Sequence, residues 1–225
     1  MRFTHILVTA IAFLANPAQA FDVRVILESS GIINAGMNAH FDQSRTSPAQ
    51  LYFDFLLPDD SDELLVVVEP GDAPSYMSIY LGQPEGSLIE TIGFLNIPVP
   101  EFAASQRLGG LARAMEDMFF PMLTDQHSEA DILRLRQLTL RDYHAVELFG
   151  RYHEGGARGR GLIYVRMLGI LPPSGEDTLL MYSTMNAAIL QPETTSDLSN
   201  AFGGYIARSL QFVARRGEDG DMIPF

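Results

Sequence analysis

The feature that most restricts this chain is its punctuation. Between residues 51 and 190, short runs of aliphatic, aromatic and β-branched residues alternate with clusters of Pro, Gly, Asp and Ser. Runs of that length bounded by turn residues read as strands, and neighbouring ones as antiparallel partners. LYFDFLL (51–57), the turn Pro58 to Asp62 and ELLVVVE (63–69) predict a hairpin. SYMSIYL (75–81) and LIETIGFLNI (88–97) follow as strands. ILRLRQLTL (132–140) turns near Arg141 and Asp142 into HAVELFGRYH (144–153). GLIYVRMLGIL (161–171) and TLLMYSTMNAAIL (178–190) complete a meander.

Two segments break the strand pattern with helical spacing. Phe102 to Leu123 places Leu108, Leu111, Ala112, Met115, Met118, Phe119 and Met122 at intervals of three and four. A last helix, capped by Thr195 or Ser196, brings Leu198, Phe202, Tyr205, Ile206, Ser209 and Phe212 onto one face. At the other end, residues 22–27 (DVRVIL) read as a strand and residues 28–49 as loop. The expected class is α+β: an antiparallel sheet meander flanked by two main helices, an αβα-type sandwich. One domain is expected over residues 21–213, with 214–225 a flexible tail.

The N-terminus reads as an address. Arg2, the apolar run Ile6 to Leu14 and the small-x-small site Ala18-Gln19-Ala20 form a signal peptide cleaved after Ala20, and the periplasm is the expected destination. No later run is long and apolar enough for a membrane-spanning helix.

Composition removes mechanisms rather than naming one. The chain has no Cys and no Lys, so all 15 cationic residues are Arg. Thiolate metal sites, cysteine nucleophiles, Schiff bases and a phosphate-loop lysine are excluded. A net charge of −13 argues against nucleic acid as a partner. Neither G-x-S-x-G nor S-x-x-K occurs. Gly155 to Gly161 has the composition of a phosphate loop, but a strand follows it, so it reads as a hairpin tip. Asp59, Asp60 and Asp62 read as solvated turn residues. The sequence implies no cofactor and no metal: His144 and Glu147 are three apart on a strand and point to opposite faces. Phe225 is a barrel-like C-terminal residue, but a polar, glycine-rich segment precedes it and a barrel is set aside.

Charge is unevenly spread. Between residues 131 and 166 there are seven arginines against Asp131, Asp142, Glu147 and Glu154, in a chain otherwise dominated by acids. Arg134 and Arg136 share a strand face, as do Glu147, Arg151 and His153, and Arg166 can join them. One reading is a solvated sheet face with cross-strand Arg–Glu pairs. The other is a cationic patch for an acidic protein partner or a small anionic or amphipathic ligand, since guanidinium grips carboxylate and phosphate bidentately. The ligand- or partner-binding candidates are therefore Arg134, Arg136, Arg151, Arg166, Glu147 and His153. The Met115, Met118, Phe119, Met122 stripe reads as core or as an adaptable binding wall.

Residues 138–148 (LTLRDYHAVEL), Gly161 to Ile170 with Thr178 to Thr184, and Ser209-Leu210-Gln211-Phe212 resemble the PsbP/Mog1-like group in order and detail. The resemblance implies a central antiparallel sheet flanked by helices, and binding or accessory work without a fixed reaction. The sequence thus points to an exported, non-enzymatic binding domain. A hydrolase using Glu147 with His153 or His144, and an envelope assembly factor, stand as alternatives.

Overall fold

The computed structural model describes residues 21–37, 49–99, 104–155, 160–173, 177–216 and 222–223. The expected signal peptide, residues 1–20, lies outside these. The elements are α1 (Val23–Ser29), β1 (Ile32–Met37), β2 (Phe53–Pro58), β3 (Leu65–Pro70), β4 (Ser75–Gly82) and β5 (Leu88–Pro98). Then come α2 (Ala104–Ala114), a π-helical turn (Met115–Phe119) and α3 (Phe120–Thr124). The meander is β6 (Ser128–Leu140), β7 (Tyr143–Glu154), β8 (Gly161–Ile170) and β9 (Asp177–Asn186). It ends in α4 (Ala187–Leu190), α5 (Thr195–Leu198), α6 (Phe202–Ser209) and β10 (Gln211–Phe212).

Seven antiparallel strands form the main sheet in the order β3-β4-β5-β9-β8-β7-β6. Alternation along each strand gives it two apolar faces. On one, Leu108, Leu111, Met115 and Phe120 of the long helix cover Val146, Leu148, Ile163 and Val165. Gly150 and Gly169 allow the helix to approach closely, because a methyl at either would run into the Phe120 or the Leu111 side chain. On the other face, the small sheet β1-β2-β10 and helix α6 together make the cover. Phe53, Phe55, Phe202 and Ile206 meet Ile79, Ile92, Phe94 and Met181 there. Phe55 and Phe94 stack at 5.1 Å. Each such side chain stabilises by roughly 1.5–3 kcal/mol relative to exposure. The fold is α+β, an antiparallel sheet between helical layers, with a small sheet sharing one of them.

Several expectations are corrected. Residues 22–27 are not a strand: Asp22 caps α1 by accepting from the N–H groups of Arg24 and Val25, and Val23 and Ile26 bury one helical stripe. Within 28–49, residues 32–37 form a strand paired with β2; residues 38–48 lie outside the described set. β2 and β3 are not a hairpin. The Pro58–Asp62 turn carries the chain from the small sheet to the edge of the large one, where the Asp60 carboxylate accepts the N–H of Val66. The long helix contains a π turn because Pro121 has no N–H to give, and Phe120 bonds back to Met115 instead. The terminal helix is broken into α5 and α6, and β10 pairs with β2 where the helix was expected to continue. In the expected tail, Arg215–Arg216 pairs with Met222–Ile223.

Candidate functional site

Register builds a polar row across five strands. Arg136 of β6 lies opposite Glu147 of β7, Phe149 of β7 opposite Arg166 of β8, and Arg166 opposite Ser183 of β9. Ser183 then donates its hydroxyl to Glu90 of β5. All these side chains share the sheet face that α6 covers, since strand side chains alternate with period two.

The edge of the row is cationic. Glu147 is 1% exposed and receives three guanidiniums. Arg166 donates from Nε (3.0 Å) and Nη2 (2.8 Å) to Oε1. Arg136 donates from Nε to Oε2 (2.7 Å), and Arg134 reaches the same oxygen at 3.5 Å. Arg134 also lies 4.7 Å above the Phe149 ring, and Arg166 is 5.5 Å from it. One carboxylate cannot neutralise three guanidiniums, so the cluster keeps a positive excess. Arg134 Nε and Arg166 Nη1 are buried donors without an acceptor. Burial pulls Arg166 below the usual guanidinium pKa, against the opposing pull of Glu147. Arg134 and Arg136 keep 32% and 48% of their side-chain surface exposed, so the excess charge faces solvent along the β6 edge.

The inner end is acidic and closed. Glu90 is fully buried beneath the start of α6 and accepts from Ser183 Oγ and from the N–H of Gly203 (2.9 Å). Its second oxygen has no partner. Burial pushes the Glu90 carboxyl up to about 7, although Ser183, the Gly203 and Phe202 N–H groups and Arg166 all pull the other way. Gly203 is required, because a β-carbon there would press on Glu90 Oε1 and Ser183.

The structure brings together four of the six candidate residues: Arg134, Arg136, Arg166 and Glu147. Arg151 stands apart in a 3.0 Å pair with Asp131, and His153 sits 3.6 Å from Glu129, both well exposed. His144 is exposed on the other face of β7 from Glu147. The reading of the Arg–Glu face as solvated is corrected, because Glu147 and Arg166 are buried. The methionine stripe divides: Met115 is core, whereas Met118 and Met122 are exposed. Among the described residues, no cluster of three His, Asp or Glu is arranged for a metal.

Glu90, Ser183 and Gly203 were not singled out from the sequence. The signal for Glu90 was present: Leu88, Glu90, Ile92 and Phe94 alternate onto one face, and an acid on an apolar strand face needs a partner. The partners lie 93 and 113 residues away, and nothing local marks them.

No family model and no curated protein matches the chain. Solved structures do. Cyanobacterial PsbP from Synechocystis sp. PCC 6803 is 12% identical with a TM-score of 0.47, covering 81% of this chain and 93% of that one. The chain is similar in fold to PsbP and Mog1p. Mog1p, a Ran-binding protein of Saccharomyces cerevisiae, is 7% identical with a TM-score of 0.42, over 81% of this chain and 96% of its own. LpqN of Mycobacterium tuberculosis, involved in cell envelope biogenesis, is 15% identical with a TM-score of 0.47, over 86% and 98%. The likeness is one of fold and gives no residue a role.

Proposed function

We propose that this protein is an exported, non-enzymatic binding or accessory domain whose β6 edge receives an acidic protein partner. The observation that carries the reading is the triple occupancy of Glu147: three guanidiniums share one carboxylate, and two of them are open to solvent. In a chain of net charge −13, such a local positive excess attracts a carboxylate-bearing surface. Export rests on Met1 to Ala20, and the periplasm is the compartment that this leader implies. No helix among the described residues is long and apolar enough to cross a membrane.

The acid–base pair of a hydrolase is not assembled in the form expected. Glu147 is held under arginines, and His153 is six residues further along the same strand, roughly 20 Å away. The test is site-specific photocrosslinking in cells from Gln137, an exposed residue beside Arg136 on β6. The expected product is a discrete acidic protein, lost in Arg134→Gln/Arg136→Gln and weakened by salt. The same product at the same yield in the double variant would overturn the proposal. An outer-layer assembly complex carrying the crosslink would point to the envelope assembly reading.

A further inference from the structure

The two outer strands of the seven-stranded sheet treat their free edges differently. On β3, Gly71 donates its N–H to Tyr76 of β4. Alternate residues back from it, Glu69, Val67 and Leu65, therefore also face β4, and Val66, Val68 and Pro70 face outward. This edge is closed. The Asp60 carboxylate accepts the Val66 N–H, and Pro70 has none to give.

The β6 edge is open. Its register with β7 runs unbroken from Arg134 to Leu140, and the irregularity between Ile132 and Arg134 ends the regular stretch. His144 of β7 turns its carbonyl to the N–H of Leu171 (2.9 Å), on the β8 side. By alternation Ala145 and Glu147 face β6, where they meet Leu138 and Arg136. Leu135, Gln137 and Thr139 then point their N–H and C=O groups away from β7. Among the described residues, no other segment or side chain bonds to these groups.

Charge decides what can lie there. Arg134 and Arg136 sit two apart on one face of the edge, and half-buried Leu138 follows on the same face. A second copy fits poorly: β6 against β6 brings two cationic excesses together, and β3 is closed. We infer that the partner of β6 is an extended segment that adds to the seven-stranded sheet as a further antiparallel strand, with acids over Arg136 and Arg134 and an apolar residue over Leu138. This rests on the reading of β6 as the docking edge and specifies how the acids are presented. Backbone bonds to Leu135, Gln137 and Thr139 supply affinity, and the alternate side chains supply specificity. The positions over Arg134 and Arg136 are non-hydrogen-bonded pairs, where cross-strand side chains approach most closely.

The probe is the acetylated, amidated peptide Val-Leu-Val-Glu-Val-Glu, titrated into the purified protein and followed by amide hydrogen exchange and arginine side-chain nuclear magnetic resonance. Saturable binding is expected, with exchange at Leu135, Gln137 and Thr139 slowed about tenfold or more. Arg136 and Leu138, already bonded to β7, should change little. N-methylation of the valines, whose N–H groups would face β6, should abolish binding; N-methylation of the glutamates, whose N–H groups would face solvent, should preserve it. Lysines in place of the glutamates, or Arg134→Gln/Arg136→Gln in the protein, should weaken binding about tenfold or more. Gln137→Pro removes the central outward N–H where an edge strand tolerates proline, so melting should hold while binding falls as far. Failure to saturate with affinity better than about 1 mM, or equal binding by the valine-methylated peptide, overturns strand addition. Arginine signals that shift while the β6 amides stay unprotected would overturn it too, and would leave acidic docking through side chains alone. Protection of those amides in the peptide-free protein at rising concentration would assign the edge to a second copy and overturn the inference. The crosslink from Gln137 in cells judges the docking reading separately.

Discussion

The two ends of the buried polar row use the same residue type in opposite ways. Glu147 is surrounded by guanidiniums and opens onto the β6 edge; Glu90 has neutral donors only and lies beneath α6. At the outer end the carboxylate is outnumbered, so the charge left over belongs to arginine and is displayed. At the inner end burial wins, and the proton is held to about pH 7. The difference shows that a buried acid's role is set by the charge of its neighbours and not by its depth, which is nearly equal at the two positions.

The largest way to break this comparison is to remove the shared anion. Glu147→Gln leaves Arg166 buried without a counter-charge, so about 3–5 kcal/mol of stability should be lost, read from urea denaturation. A loss below about 1 kcal/mol would mean that the cluster relaxes into solvent and is not a buried ion network. The next effect belongs to the other end. The folded state holds a proton on Glu90 up to about pH 7, whereas the unfolded chain releases it near 4.5. Between those values the native state binds more protons, so its stability falls as pH rises. The contribution is fully present below about 4.5 and gone above about 7, and amounts to roughly 3 kcal/mol. Glu90→Gln should flatten this part of the stability–pH curve and melt higher than wild type at pH 8. An unchanged slope would assign the titration to other groups.

Legibility followed the range of the interactions. The meander could be read because its strands pair with sequence neighbours through short turns, and its alternation places Arg134, Arg136, Glu147 and Arg166 on one face. The β2–β3 segment misled because Pro and Asp mark a turn without saying whether the chain returns to its own sheet or crosses to another. DVRVIL misled because three consecutive apolar residues satisfy both a strand and a helical stripe, and the Asp22 cap decides between them. Burial of the Arg–Glu cluster depended on α5 and α6 folding back over the sheet, a long-range event. The same holds for Glu90, whose two donors come from β9 and α6.

A smaller effect tests how tightly that cover sits. Gly203→Ala drives a methyl against Glu90 Oε1 and Ser183, and should cost about 1–3 kcal/mol by thermal or chemical unfolding. Combined with Glu90→Gln the two effects should not add, since both changes act on one contact. Additive effects would mean that α6 is displaced as a body.

The smallest effect on stability is expected at the outer edge. Arg136 is 48% exposed, and removing it leaves Glu147 still bound by Arg166 and touched by Arg134. Arg136→Gln should therefore change stability by no more than about 1 kcal/mol. The two ends then separate cleanly: a substitution at Glu147 or Glu90 speaks of folding, whereas one at Arg136 speaks of what the edge displays. If Arg136→Gln destabilised the protein as much as Glu147→Gln, the outer guanidinium would be part of the core network. The surplus positive charge along β6 would then be a by-product of burying Glu147, and the edge would have no claim to be a docking surface.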